Sequence, residues 1–536
     1  MKTIKRLAVL ALVFVLVLPV FAGGSKEKAT TEDGRPIITM WAPINPNITQ
    51  VAQSFDQTAY WQELMERTGV QIEFEHASSS NDSVLTENFN ILIASGDYPD
   101  IIQYKWIDYP GGPAAAIADG VIIPLNDVFE QYCPNITAFL ESHPDIAKMI
   151  STDDGTYYCF PFLRGTSYEN NNLLFSEGWV WRKDLLDKAG LDVPETPEEL
   201  YEALVAFKEM GIQIPLSIRR DHISRVLAPG FDSFGDSIQS FYVVDGVVHN
   251  GYVEENRKEY LKFANKLYEE GLLDNDYLSV DKNKLAVNVL NGLCGAAYAP
   301  GGSGIGTWLP AMRQSDPSVE LVSARPISPE KGRLSMFAKM SDIYSNTGSS
   351  SAITTSCKDI ETVARFLDFS YSEEGILLDN FGIEGETYEM VDGYPKYTDK
   401  IVPTSDDGLT SEGYTISQAL SMYTRTYATG GYIQDPRYLE QYYSLPELQE
   451  AINLWAQTDY GKYIYPPAST TAEEASELAS IMNSINTYVD EMESRFITGI
   501  SDIDAEWDGY VEQLKNFGIE RAIEIKQEAY DRYMSK

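Results

Sequence analysis

The sequence predicts an α/β protein of two lobes. Three observations carry that prediction. The chain has 536 residues, and a single hydrophobic core stops growing at roughly 250–300 residues, so one core cannot serve it. The strand–helix alternation of a parallel sheet runs once up to residue 104 and restarts near residue 178. No Pro/Gly/Ser-rich linker separates the two runs, so strands crossing between the lobes are expected to join them.

Residues 1–22 read as a targeting segment. Met1–Arg6 is basic, and the apolar run Leu7–Val20 is shorter than the ~20 residues of a membrane span. Val20-Phe21-Ala22 predicts cleavage after Ala22. No cysteine precedes Cys133, so the mature chain is expected to be unanchored, in the periplasm or outside the cell. Residues 23–35 read as a flexible leader.

The first lobe then builds in order. Pro36–Trp41 reads as a strand, followed by a helix with Tyr60, Leu64 and Met65 on one face and Gly69 as its stop. Val70–Phe74 alternates as the second strand. Leu85–Ala94 is helical, Ser95–Asp100 a turn, and Ile101–Tyr104 a third, buried strand. Asp154-Gly155 signals a tight turn, and Thr156–Phe160 has strand chemistry up to Pro161. The residues of that stretch alone fit an ordinary strand or a lobe crossing.

The second run opens with a strand over Gly178–Trp181 that passes into a helix ended by Gly190. Thr196, Pro197 and Glu199 form a helix start of capping-box type. Residues 252–271 form a long amphipathic helix, and Leu293–Tyr298 a strand of small residues. Gly301–Gly306 lacks the dinucleotide-binding register and reads as a flexible connector. Residues 366–381 are helical, as is most of the tail beyond Pro446.

Composition excludes several classes. A formal charge of −39, which becomes −42 without Lys2, Lys5 and Arg6, repels nucleic acid and anionic lipid. The four histidines form no zinc motif, and no GxSxG elbow or Walker loop occurs. No metal or other cofactor is expected. Cys133, Cys159, Cys294 and Cys357 leave disulfides and buried thiols equally open. The palette that remains is aromatic faces with hydrogen-bonding side chains, which suits sugars. Trp41, Trp106, Arg164, Trp179, Tyr298 and Trp308 lie near predicted strand ends or crossings. Core packing competes with ligand contact at each, and about half are expected to touch ligand.

Ser95–Ile102, Trp181–Leu191, Pro194–Leu200, Leu267–Asp274, Tyr371–Gly375, Phe381–Gly385, Phe496–Gly499 and Trp507–Tyr510 together resemble the extracellular solute-binding proteins of family 1. The branch resembled is the one of LplA- and alginate-binding-type proteins. The resemblance spans roughly residues 36–536. It implies a two-lobed periplasmic-binding-protein fold of type II kind, with hinge strands and a ligand cleft between the lobes. It further implies a monomeric, non-catalytic subunit that captures an oligosaccharide and delivers it to the membrane permease of an ABC importer. A peptide or other non-sugar solute is the alternative, and a secreted glycoside-active enzyme the third.

On this resemblance Tyr157–Pro161, Leu293–Tyr298 and Phe381–Tyr388 are the three crossings. Lobe 1 then takes residues 36–157 and 306–382, and lobe 2 takes 158–305 and 383–536. Tyr158 and Arg164 become candidates for the cleft floor, and Glu384 joins them at the third crossing. Two departures stand out. Many relatives carry a calcium loop before the strand at Ile214–Leu216, and here Phe207 leads there through Lys-Glu-Met-Gly-Ile-Gln, without the oxygen ligands calcium needs. Relatives are also often lipoproteins, and the required cysteine is missing.

Overall fold

The computed structural model describes residues 29–44, 46–78, 82–169, 171–235, 240–338, 340–344, 349–403, 409–425, 430–443 and 445–536. The targeting segment lies outside them, as do Asn45 and Asn170.

Elements follow in chain order: β1 (Ile37–Ile44), α1 (Ala59–Thr68), β2 (Gln71–Ser78), α2 (Asp82–Ser95), β3 (Ile101–Tyr104), β4 (Phe162–Leu163), β5 (Glu177–Arg182), α3 (Lys183–Ala189), α4 (Pro197–Glu209) and β6 (Ile214–Ser217). Next come α5 (Glu255–Glu269), β7 (Cys294–Pro300), α6 (Gly306–Ser315), β8 (Leu321–Ala324), β9 (Ser350–Ile353), α7 (Glu373–Phe381), α8 (Ile416–Tyr423), β10 (Tyr432–Ile433), α9 (Pro436–Tyr442) and α10 (Pro446–Trp455). Three helices close the chain: α11 (Ala472–Ile497), α12 (Ile503–Phe517) and α13 (Ile519–Met534). No described helix is long and apolar enough to cross a membrane.

Local signals act where the sequence places them. The Thr58 hydroxyl caps α1 on Trp61 N–H, and Gly69 ends it at φ 68°. Gly190 ends α3 in the same left-handed region, φ 69°. Thr196 caps α4 on Glu199 N–H. The Glu199 carboxylate turns instead to Glu195 N–H, one residue before the cap.

Eight of these strands form two mixed four-stranded sheets, and β4 pairs with β10 in parallel apart from them. In the first, the order is β9-β3-β1-β2, with β1 parallel to β2 and β3, and β9 antiparallel. In the second, the order is β8-β5-β7-β6, with β7 parallel to β6 and β5 antiparallel to both neighbours. One core cluster surrounds the first sheet through Met40, Trp106 and Phe160. Another holds Trp179, Trp181, Phe207 and Tyr260 against Trp507 of the helical tail.

Three segments pass between the sheets side by side. Their described residues are 164–169 and 171–176 between β4 and β5, 325–338 and 340–344 after β8, and 434–443 after β10. Hydrogen bonds tie them together: Arg164 N–H to Ile343 O (2.9 Å), Ser341 N–H to Leu174 O (2.8 Å), and Gln434 N–H to Leu163 O (2.8 Å). α10 seats Trp455 under β5, its indole N–H donating to Trp179 O at 3.3 Å. A Cβ at Gly178 would sit 2.2 Å from that indole, so β5 requires glycine there.

The expected crossings are corrected by this pairing. Tyr157–Pro161 lies on the edge of the first sheet, where Phe160 and Ser351 exchange N–H···O bonds of 2.8 and 3.0 Å. The passage to the second sheet follows it. Leu293–Tyr298 does not cross at all. It forms most of β7, inside the second sheet, and its small residues admit helix α4 closely enough for Phe207 to lie on Gly295. Residues 321–324, expected in the first lobe, pair with β5. Phe381–Tyr388 stays by the first sheet, because Tyr60 of α1 donates to Asp379 of α7 at 2.5 Å and Phe381 packs with Tyr388 and Tyr397. Gly301–Ile305 is a π-helical turn running straight into α6, rather than a flexible connector.

Candidate functional site

Arg164 stands where the three connecting segments meet. Its guanidinium lies 3.5 Å from Gln434 Oε1 and 5.2 Å from the Phe162 ring. Burial pushes the Asp342 carboxyl up to about 6, and the positive charge of Arg164 works against that rise. On the other side burial pushes the Tyr438 hydroxyl up to about 12, again opposed by Arg164. Arg164 thus sits between Asp342 of the second segment and the residues of β10 and α9.

A cavity of about 210 Å³ opens on the β10 side, lined by Tyr432, Gln434, Tyr438, Tyr442, Tyr443 and Arg425 among others. Local sequence builds it. The Asp435 carboxylate accepts from Arg437 N–H at 2.9 Å and starts α9 with Pro436 in its first turn. The four-residue spacing of Tyr438 and Tyr442 then puts both rings on one helical face. The same spacing in α8 aims Ser417 and Ser421 at the cavity.

A buried ion pair forms the floor. Arg425 Nη1 lies 3.8 Å from Asp379 Oδ1 and donates to Ser370 Oγ at 2.6 Å. Burial pushes the Asp379 carboxyl up to about 6, while Arg425 and the Tyr60 hydroxyl pull it back. The turn after β7 closes on the cavity from the second sheet, where a Cβ at Gly302 would lie 3.1 Å from Tyr442 Oη. The lining residues themselves all lie between Asp379 and Tyr443.

A second cavity, of about 280 Å³, lies on the Asp342 side. Asp108 and Tyr109 line it from beyond the end of β3, Asp342 and Tyr344 from the connecting segment, and Tyr465 and Lys526 from the helical tail. The Lys526 ammonium stands 4.6 Å over the Tyr465 ring, and burial pulls its pKa down to about 8. Aromatic faces with amide, hydroxyl and charged groups let both cavities hold a solute that is apolar on its faces and hydroxylated at its edge.

The structure spreads the eight residues expected from the sequence. Arg164 lies between a lining residue of each cavity, 3.5 Å from Gln434 of the first and facing Asp342 of the second. Trp179 and Tyr298 come together, ring centres 6.1 Å apart, but inside the second core, with Trp179 stacked on Trp181. Trp41 and Trp106 both pack on Phe89 in the first core. Trp308 is buried on α6 at 3% exposure. Tyr158 is buried too, its hydroxyl bonded to that of Tyr344 at 3.1 Å. Glu384 is exposed on the surface beyond α7. Trp41, Trp179 and Tyr298 are turned into protein because the strands that carry them are covered on two faces, and Trp106, Tyr158 and Trp308 pack from turns and a helix into the same cores. The cavity tyrosines were missed. Their signal was density, four tyrosines within the twelve residues 432–443.

All four cysteines are buried and free. Burial pushes the thiols of Cys159, Cys294 and Cys357 up to about 12. Among the described residues no group of three or more His, Cys, Asp or Glu gathers to hold a metal ion. α4 and β6 are joined by residues 210–213 alone.

The family model for bacterial extracellular solute-binding proteins matches residues 52–376, more than half of the chain. The chain belongs to this family. It is 24% identical to the fructooligosaccharide ABC transporter substrate-binding protein FusA of Streptococcus pneumoniae serotype 4, over 100% of this chain and 99% of FusA. Its fold matches the alginate-binding protein AlgQ2, solved without calcium ion, with a TM-score of 0.68 and 25% identity. That match covers 94% of this chain and 100% of AlgQ2. An extracellular solute-binding protein from Bifidobacterium longum subsp. infantis has the same fold, with a TM-score of 0.71 at 20% identity, over 94% of this chain and 100% of that one. This family member is therefore a bacterial extracellular solute-binding protein, and the relatives FusA and AlgQ2 are by their names sugar-binding components rather than enzymes.

Proposed function

We propose that this protein is the exported binding subunit of an ABC importer, and that it captures an oligosaccharide between its two lobes. The observation that carries the reading is the tyrosine- and arginine-lined cavity beside Arg164 and the connecting segments. Pyranose and furanose rings would lie on Tyr438 and Tyr442, and their hydroxyls would bond to Gln434, Arg164 and Ser417. FusA, whose ligands are fructooligosaccharides by its description, makes that class the first to test.

The lobes proposed are residues 29–163 with 350–433, and 177–324 with 446–536. The three connecting segments act as the hinge, and ligand favours the closed arrangement by its higher affinity for it. The closed form, a monomer, is what the permease recognises. Export would follow cleavage after Ala22. The protein carries out no chemistry on its cargo.

Isothermal calorimetry and thermal shift against a glycan panel that includes kestose and alginate oligomers test this. Binding of at least one oligosaccharide without product formation is expected. Turnover of any glycan, or a response to peptides alone, sinks the reading.

A further inference from the structure

Helix α13 belongs to the second lobe for most of its length. Ile519 and Ala522 enter the second core. Arg521 pairs with Glu477 of α11 at 3.2 Å, and Gln527 Oε1 accepts from Val248 N–H at 2.8 Å. Its last turn leaves that lobe and lands on residues 148–153 of the first.

That landing is dense. Arg532 bridges Glu474 of α11 at 2.6 Å and Asp153 at 3.1 Å. Lys536 Nζ lies 3.4 Å from the other Asp153 oxygen and donates to Ser151 O at 2.8 Å. Lys148 Nζ donates to Met534 O at 3.3 Å. Between them the Tyr533 ring is buried, with the Lys148 and Lys536 ammoniums each 5.1 Å from its centre. The Lys536 side chain is only 6% exposed. So deep a cation is retained only where it is paired and hydrogen-bonded, and here its ion-pair and side-chain hydrogen-bond partners, Asp153 and Ser151, come from the other lobe.

The receiving turn is firmly part of the first lobe. Ser151 bridges Tyr157, whose carbonyl accepts from Leu125 N–H at 2.9 Å, and Ile123 N–H reaches Ile353 O of β9 at 3.0 Å. The same turn runs directly into the strand that carries Phe160 to the lobe boundary. The contact therefore joins the lobes outside the three covalent connections.

We propose that residues 532–536 are a strap. The strap holds the observed lobe arrangement in the absence of ligand and so sets how much of the protein is ready to bind. This rests on the lobe motion proposed above. A population already in the competent form lowers the apparent dissociation constant in proportion.

The test needs no ligand. Spin labels at Asp127→Cys and Glu259→Cys, exposed positions on the two lobes, report the interlobe distance, since the four native thiols are buried. Asp153→Ala removes both ion pairs to the strap and should cut the ratio of the observed arrangement to the others on the order of tenfold. Lys148→Ala should shift it the same way by less. Glu477→Ala, which breaks an ion pair of comparable exposure wholly within the second lobe, should leave it unchanged. A wild-type distance distribution identical to that of Asp153→Ala overturns the strap, as does an equal shift in Glu477→Ala. Glycan binding would be unaffected by either failure, so the proposed function is judged separately.

Discussion

Two aromatic clusters in this molecule use similar residues for opposite ends. Trp179 and Trp181 stack on β5, and Tyr298 of β7 meets Trp179 edge-on inside the second core. Tyr432, Tyr438, Tyr442 and Tyr443 stand around a cavity, backed by a buried Arg425–Asp379 pair. The first cluster lies on regular strands in a covered sheet. The second lies at a strand end and on a short helix beside the lobe connections. An aromatic ring next to a strand's carboxyl end is thus poor evidence for ligand contact. A tyrosine hydroxyl kept near amides and carboxylates is better evidence, because it has a polar task that packing does not require.

Substitutions can break this contrast. The largest effect should come from Trp179→Ala, which empties a core site and should cost about 3–5 kcal/mol in denaturant unfolding. Any folded fraction should bind glycan with unchanged affinity, and a loss of affinity at unchanged stability would move Trp179 into the binding site. Arg164→Met should come next. Removing a charged hydrogen-bond donor from a ligand should cost about 1.5–3 kcal/mol of binding by calorimetry, and undiminished affinity would return Arg164 to a purely structural place. Tyr442→Ala should lower affinity by about 1 kcal/mol with little change in melting temperature. An equal fall in stability would make the two clusters alike.

The smallest effect is one of pH. The folded Asp342 carboxyl sits near 6, above the unfolded value of about 3.9. The native state therefore holds its proton more tightly between those values, and this group's contribution to stability falls as pH rises through the window. Relative to Asp342→Asn, the wild type should gain melting temperature on going from pH 7 to pH 5. A constant difference across that range would remove Asp342 from the list of buried acids. His222, on the second sheet's side, has the opposite sign. Burial pulls its pKa down to about 4, so its contribution is lost as pH falls below the unfolded value of about 6.5.

Much of the fold was legible in the residues. β1, β2 and β3 were readable because their apolar, β-branched runs are short and bounded by turns, and α3 and α4 because Gly190 and Thr196 punctuate them. What sequence could not supply was pairing. β7 reads as a crossing or an interior strand with equal ease, since its small residues suit either, and only its bonds to β5 and β6 decide. The separation of β8 from the first lobe was hidden for the same reason. At the site, Arg164 was readable from its position after a strand-like stretch. The tyrosines of residues 432–443 were not, because their cavity depends on α8, on β10 and on a turn that starts 130 residues earlier in the chain.

The connecting segments have a mechanical consequence. They are bonded to one another at Leu163, Ile343 and Gln434, which makes them a laminated strip rather than three separate cords. A laminate flexes across its flat face and resists shear along its length. On the lobe motion proposed above, the lobes should move along a single arc, without sliding or twisting independently. On such an arc the opening angle is one number, and the thickness of whatever lies between the jaws is read directly as that number.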